Sequence, residues 1–308
     1  LSNQADPIFT TSQPQTSQPV EQQTAYGDTE IIGSFTNIQN GGLNCGNYFI
    51  NNTGKEIIYA KDGTVVKTFN NGVYNLCYDS GRLYFLKYME TGWQACYYDE
   101  SDGGCYSVSA LKGYSNITAM YLSKDYYFIY VPNSDGSSRG RLYRISRSTG
   151  KEEQWIELNS TTEFAIGGGN VYYTSSDFHT LYGVSALNFQ EKVYYNRYLA
   201  QDSTCVFSSV TFADNKVYSL KSDQTNCSIR IDRYDTELEN NEEYYQVSSL
   251  AKPSQSNDTF ITAYSLCALD GHFVMNIAYA SDGGEYNLCK YVVTPSSENI
   301  FKSDAVLK

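Results

Sequence analysis

The sequence predicts an all-β chain folded as a six-bladed β-propeller, with four antiparallel strands per blade. Three observations predict it. A strand–turn–strand phrase recurs about every 45 residues, the length of a four-stranded blade. Tyrosine supplies 30 of 308 residues, a composition of aromatic, half-buried strands rather than Leu/Ala helices. No amphipathic helical run of useful length interrupts the pattern.

The copies are read in chain order. The first, GNYFINNTGKEIIYAKDG from Gly46, is degenerate, and the second, SGRLYFLKYMETGWQACYY from Ser80, is a weaker copy. The clearest are KDYYFIYVPNSDGSSRGRLYRIS from Lys124 and GNVYYTSSDFHTLYGVS from Gly169. Two weaker copies follow, DNKVYSLKSDQTNCSIRID from Asp214 and DGHFVMNIAYASDGGEYNLCK from Asp270. Landmark aromatics fall at Tyr48, Tyr84, Tyr127, Tyr172, Tyr218 and Phe273 on the second strand (B) of each blade. Between strands A and B stand Ser80-Gly81, Lys124-Asp125, Gly168-Gly169, Asp214-Asn215 and Asp270-Gly271. Most of these residue types tolerate the positive φ of tight hairpins. A sandwich, the rival all-β architecture, would not demand six similar copies. The tyrosines suit radiating sheets, because flat rings fill the wedges while their hydroxyls reach water or backbone.

The phrase "turn, x-x-Tyr-Tyr, Ser-Asp-x-Gly, Leu-Tyr-Arg-Ile, x-x-x-Gly" resembles an uncharacterised family of bacterial extracytoplasmic six-bladed propellers. It is carried by Tyr126-Tyr127, Ser134-Asp135-Gly136, Leu142-Tyr143-Arg144-Ile145 and Gly150, and again by Val171-Tyr172-Tyr173 with Leu181-Tyr182. Blades 1, 2 and 6 depart from the pattern. The resemblance implies a fold and an extracytoplasmic location, secreted or surface-tethered, and brings no chemistry.

Thirty-four acidic residues against 22 basic ones leave a formal charge of −12, and the isoelectric point is near 4.6. That balance excludes nucleic acid and anionic membrane as partners, since both require a field of the opposite sign. No stretch approaches the roughly 18 apolar residues of a spanning helix. Residues 1–28, rich in Gln, Thr, Ser and Pro, read as a polar arm or tether, because such a segment buries too little apolar surface to offset its ordering entropy. Residues 29–308 read as the propeller. A start at Leu1 reads as a processed or trimmed chain.

Few residues announce chemistry. The two histidines, His179 and His272, fall in loops expected on opposite faces and cannot share a metal. The glycines Gly167-Gly168-Gly169 precede a strand, so they read as a turn and not as a phosphate cradle. Nothing in the sequence requires a cofactor, a resident metal or a nucleophile elbow. Ser-Asp pairs recur in the second loop (B–C) of four blades, carrying Asp135, Asp177, Asp223 and Asp282. They read first as turn chemistry and second as carboxylates for a cationic ligand.

Aromatic side chains in polar loops are the stronger binding signal: Tyr88, Trp93, Phe178 and Tyr114 fall where D–A and B–C loops open. Their alternative role is packing onto neighbouring blades. Of the eight cysteines, Cys77 and Cys96, like Cys267 and Cys289, fall on strands A and C of one blade. Strand B separates them by about 9–10 Å, beyond disulfide reach. Cys205 and Cys227, expected in neighbouring loops, form the disulfide candidate, and Cys96 with Cys105 a weaker one. Five Asn-x-Ser/Thr matches are close to the number expected by chance and imply no glycosylation.

The reading is thus an exported or tethered propeller that binds a glycan, a peptide or a cell-surface protein at its loop face. One alternative is a glycan hydrolase or lyase with channel-mouth carboxylates, Glu163 and Asp202 being the first suspects. The other is a structural spacer.

Overall fold

The computed structural model describes residues 31–33, 44–45, 48–50, 54–59, 62–137, 139–158, 164–175, 180–189, 192–197, 205–223, 228–247, 260–269, 272–280, 286–293 and 300–305. Among them the chain is all-β apart from one 3-10 turn at Ser109–Leu111. No described helix is long and apolar enough to cross a membrane.

Strand β1 (Ile31–Gly33) precedes the repeats. Sheet 1 comprises β2 (Asn44–Cys45), β3 (Tyr48–Ile50), β4 (Glu56–Tyr59) and β5 (Val65–Thr68). Sheet 2 comprises β6 (Val73–Asp79), β7 (Arg82–Met89), β8 (Gly92–Asp99) and β9 (Cys105–Ser107). Sheet 3 comprises β10 (Ala119–Ser123), β11 (Tyr126–Pro132), β12 (Gly140–Ser146) and β13 (Glu152–Leu158). Sheet 4 holds β14 (Phe164–Gly167), β15 (Asn170–Thr174), β16 (Thr180–Ser185) and β17 (Lys192–Arg197). Sheet 5 holds β18 (Cys205–Ala213), β19 (Lys216–Asp223), β20 (Ser228–Tyr234) and β21 (Asn241–Val247). Sheet 6 holds β22 (Phe260–Leu269), β23 (His272–Ala280), β24 (Tyr286–Val293) and β25 (Ile300–Ala305).

Each sheet is an antiparallel meander with its strands in chain order. First strands of successive sheets meet: β6 touches β10, β14 touches β18, and β18 touches β22. Strand β1 pairs antiparallel with the free edge of β10, with Ile31 opposite Ser123 and Gly33 opposite Leu122.

The turns follow the sequence chemistry. Ser80 and Gly81, Gly168 and Gly169, and Asp214 and Asn215 all take positive φ. That is the type I′ hairpin, whose twist matches the strands it joins. A C–D bulge recurs at one register, between Ile57 and Ile58, Arg144 and Ile145, and Gly183 and Val184; in sheet 5 it lies two residues earlier.

Counting from these turns corrects the landmark register. Tyr84, Tyr172 and Tyr218 are each the third residue of their strand, but Tyr127 is the second and Tyr48 the first. Phe128 is the true counterpart of Tyr84. A slip of one residue changes the face: Tyr84 turns towards sheet 3, whereas Tyr127 turns back towards sheet 2, their rings 6.2 Å apart.

Burial falls from first strand to last. In sheet 3, β10 is wholly buried, whereas β13 is buried only at Leu158. A continuous apolar run such as Tyr126–Tyr130 marks a strand covered on both faces. Buried and half-buried tyrosines place their hydroxyls on backbone carbonyls, Tyr172 on Thr236 at 2.9 Å and Tyr74 on Ile117 at 3.1 Å. At the surface they donate to carboxylates instead: Tyr78 to Glu100, Tyr106 to Asp102 and Tyr48 to Glu100.

The motif arginine Arg144 is a staple. It is buried, donates to the Ala186 carbonyl just beyond β16 at 2.9 Å and lies over the Tyr126 ring. Arg147 reaches the other way, donating to Asp79 of sheet 2 and to the Ser123 carbonyl, both at 2.7 Å.

Candidate ligand-binding groove

The D–A link from sheet 1 to sheet 2, Phe69-Asn70-Asn71-Gly72, lies beside the end of the β7–β8 hairpin. Two bonds fasten it there: the Tyr88 amide donates to the Gly72 carbonyl at 2.9 Å, and the Asn71 side-chain amide donates to the Tyr88 carbonyl at 3.1 Å. The hairpin turns at Glu90-Thr91 into Gly92, whose φ of +105° suits glycine alone. Beneath, the core between sheets 1 and 2 ends where Phe69 meets Phe85 edge-on at 5.1 Å.

Along β7 the residues facing sheet 1 are Leu83, Phe85 and then Lys87, so the apolar face becomes charged where the interface opens. The Lys87 ammonium stands 5.6 Å above the Phe69 ring, an arrangement that lets its stem cover apolar surface while its charge stays wet. Above Phe69 and Lys87 is a groove of about 600 Å³, within the range of ligand sites. Lys67 and Thr68 of β5 form one wall, Asn70 and Asn71 the end, and Lys87, Met89, Gln94 and Cys105 the other wall, with Glu90 and Thr91 at the turn. The Gln94 side-chain amide donates to the Thr91 hydroxyl at 2.7 Å. Cys105 is an exposed free thiol whose pKa is pushed up by burial, against the opposing pull of Lys67 and Lys87.

Only part of the sequence-predicted aromatic set is free to meet a ligand. Tyr88 is 49% exposed, but it shares the parity of Tyr84 on β7 and so stands on the face of sheet 2 turned away from the groove. Trp93, its cross-strand partner, is instead a packing post, edge-on to Tyr74 at 4.3 Å and to Tyr88 at 5.3 Å. Tyr114 also has packing partners despite its loop position: its hydroxyl donates to Glu152 at 2.6 Å and its ring meets Tyr143 at 5.1 Å. Burial, then Glu152, push its pKa up.

Asp135 is exposed and accepts the Ser137 amide at 2.9 Å, a local turn whose hydrogen bonds hold its pKa below the usual value. Asp223 is not in a loop. It ends β19, paired with Cys205 and Ser228. Cys205 likewise opens β18 rather than lying in the D–A loop. The bridge between Cys96 and Cys105 does not form, since both are free thiols. Cys105 lies opposite Tyr98 and Cys96 opposite Ser107, two residues out of register. Phe178, Asp177, Asp282, Cys227, Glu163, Asp202 and His179 lie outside the described residues, and His272 opens β23.

The groove residues Lys67, Phe69, Lys87 and Gln94 carried no motif. The available signal was a lysine at the buried-face parity of a strand, two residues after Phe85. A second cavity, about 390 Å³, lies at the opposite end among Asp79, Ser80, Lys124, Asp125, Arg147 and Ser148. Arg147 and Asp79 already neutralise each other there at 2.7 Å. Among the described residues no three His, Cys, Asp or Glu side chains converge on a metal position.

The fold and the groove define a chain of successive four-stranded β-meanders with an open polar cleft at one loop end. Neither a protein-family model nor a curated protein sequence matches it. Among solved structures, BamB from Moraxella catarrhalis is similar at 13% identity and a TM-score of 0.41, covering 82% of this chain and 71% of that one. A nidogen/laminin complex is similar at 9% identity and a TM-score of 0.46, with 66% and 75% covered. A prolyl endopeptidase is similar at 11% identity and a TM-score of 0.46; the match takes in 85% of this chain and 38% of the endopeptidase.

Proposed function

We propose that the chain is an extracytoplasmic six-bladed propeller acting as a binding module, and that its ligand occupies the groove between sheets 1 and 2. Six meanders in chain order, with β6 against β10, β14 against β18 and β18 against β22, support the architecture. The extracytoplasmic placement rests on the sequence resemblance and the polar arm.

The observation that carries the binding reading is the groove: a ligand-sized cleft lined by amide, hydroxyl and ammonium groups, opening where D–A and B–C loops meet. Interiors pack to near-crystalline density, so a packed interface has no structural need for such an opening. The partner classes are a glycan, a peptide or a surface protein.

The test is binding by calorimetry of wild type and Asn70→Trp, which fills the groove from an exposed position. Ligands found in a thermal-shift screen lose affinity at least tenfold in the variant. Unchanged affinity moves the site elsewhere.

A further inference from the structure

Two lysines of this chain occupy the same place in different sheets. Lys87 is the sixth residue of β7 and Lys221 the sixth of β19, counted from equivalent hairpin turns. Each points towards the preceding sheet. Diagonally across from Lys221 stands Asp232, whose own cross-strand partner is Ser219. Diagonally across from Lys87 the same place holds Cys96, opposite Phe85.

The outcomes diverge. Lys221 is 3% exposed and ion-paired with the fully buried Asp232, which Arg230 also contacts. Lys87 has a thiol where Lys221 has a carboxylate, and it forms no ion pair among the described residues; nor does Lys67, facing it from sheet 1. In a chain of net charge −12, the groove therefore holds two unpaired ammoniums against the one carboxylate of Glu90. Its other polar groups are the neutral amides and hydroxyls of Thr68, Asn70, Asn71, Thr91 and Gln94, the donors and acceptors that suit vicinal hydroxyls.

We propose that this groove selects an oligosaccharide bearing a single carboxylate, a uronic or sialic acid residue set among neutral sugars. Lys87 and Lys67 take the carboxylate, while Thr68, Asn70 and Gln94 face the hydroxyls. The inference rests on the binding-module reading above. A polyanion is excluded: the acidic surface repels a long row of charges, whereas one carboxylate within the groove lies inside a Debye length, about 8 Å in physiological salt, of the lysines. An acidic peptide fits less well, because peptide grooves offer a strand edge or an apolar anchor pocket, and here Phe69 is buried beneath Lys87.

The experiment is calorimetry on the full chain with uronate- and sialate-terminated oligosaccharides, each beside its neutral counterpart, and a glutamate tripeptide. An acidic sugar binds at least tenfold tighter than its neutral twin. Lys87→Met and Lys67→Met each remove at least that tenfold, Lys87→Arg retains it, and Glu90→Gln raises affinity two- to fivefold. Equal binding of acidic and neutral sugars, lost in Asn70→Trp, overturns the carboxylate selection and leaves the groove reading standing. Binding of the tripeptide alone, lost in Asn70→Trp, does the same in favour of a peptide. Absence of any groove-dependent binding overturns both. Circular dichroism melts confirm that each variant is folded.

Discussion

Sheets 2 and 5 put a lysine at one register and treat it in opposite ways. In sheet 5 the charge is enclosed, and Asp232 and Arg230 complete an internal network. In sheet 2 the neighbouring positions are Cys96 and Gln94, and the interface opens instead of closing. The repeat sets where a side chain points, and its cross-strand neighbours decide whether that direction becomes interior or surface. A repeated scaffold can thus carry a site in one copy and none in another without changing its backbone plan.

Breaking the closed copy has the largest expected effect. Asp232→Ala leaves Lys221 buried without its carboxylate and should cost about 3–5 kcal/mol, read by urea denaturation. Cys96→Ala, the same position in sheet 2, should cost about 1 kcal/mol; equal losses would dissolve the contrast. Next, Cys96→Asp installs the sheet 5 counter-charge beneath Lys87. The variant should lose about tenfold in affinity for a carboxylated ligand, as one charge-assisted contact is withdrawn.

Acid distinguishes the two sheets in the wild type. Burial alone would raise the Asp232 pKa, but the hydrogen bonds and charges of Arg230 and Lys221 outweigh it and hold the value below the ordinary one. Its contribution to stability is therefore present above the unfolded carboxylate range, near pH 4, and is lost as pH falls below it. Hydrogen exchange should show sheet 5 loosening before sheet 2 on acidification.

Alkali acts on the interface between sheets 2 and 3. Burial beside Tyr84 pushes the Tyr127 pKa from 10.0 to about 12. The stability this provides is complete below the unfolded value and lost as pH rises through the folded one, so ultraviolet titration should show Tyr127→Phe removing a late-ionising phenol. Smallest of all, Lys87→Met should change stability by only about 0.5 kcal/mol, the mark of a lysine that the fold does not need.

Much of the fold is legible in the sequence because hairpin chemistry is local. Ser80-Gly81, Gly168-Gly169 and Asp214-Asn215 name their own turns. The aromatic landmarks find the right strand but not always the right face: Tyr126, Tyr127 and Phe128 are all aromatic, and composition cannot fix register among three similar neighbours. Site reading fails for a related reason. Trp93 and Tyr114 look unexcused in polar loops, yet their partners, Tyr74 for one and Tyr143 with Glu152 for the other, are distant in sequence. Tyr88 is an exposed ring as its loop position suggests, but strand parity turns it to the face of sheet 2 away from the groove. Lys87 and Lys67 become visible only once sheets 1 and 2 are placed side by side.

Strand β1 has a mechanical consequence. Antiparallel to β10 through the two register pairs Ile31–Ser123 and Gly33–Leu122, it is the first described strand that load applied from the N-terminal side reaches. Tension there peels a short ladder from the edge of sheet 3 before it strains a repeat, so β1 works as a fuse that yields while the meanders stay intact.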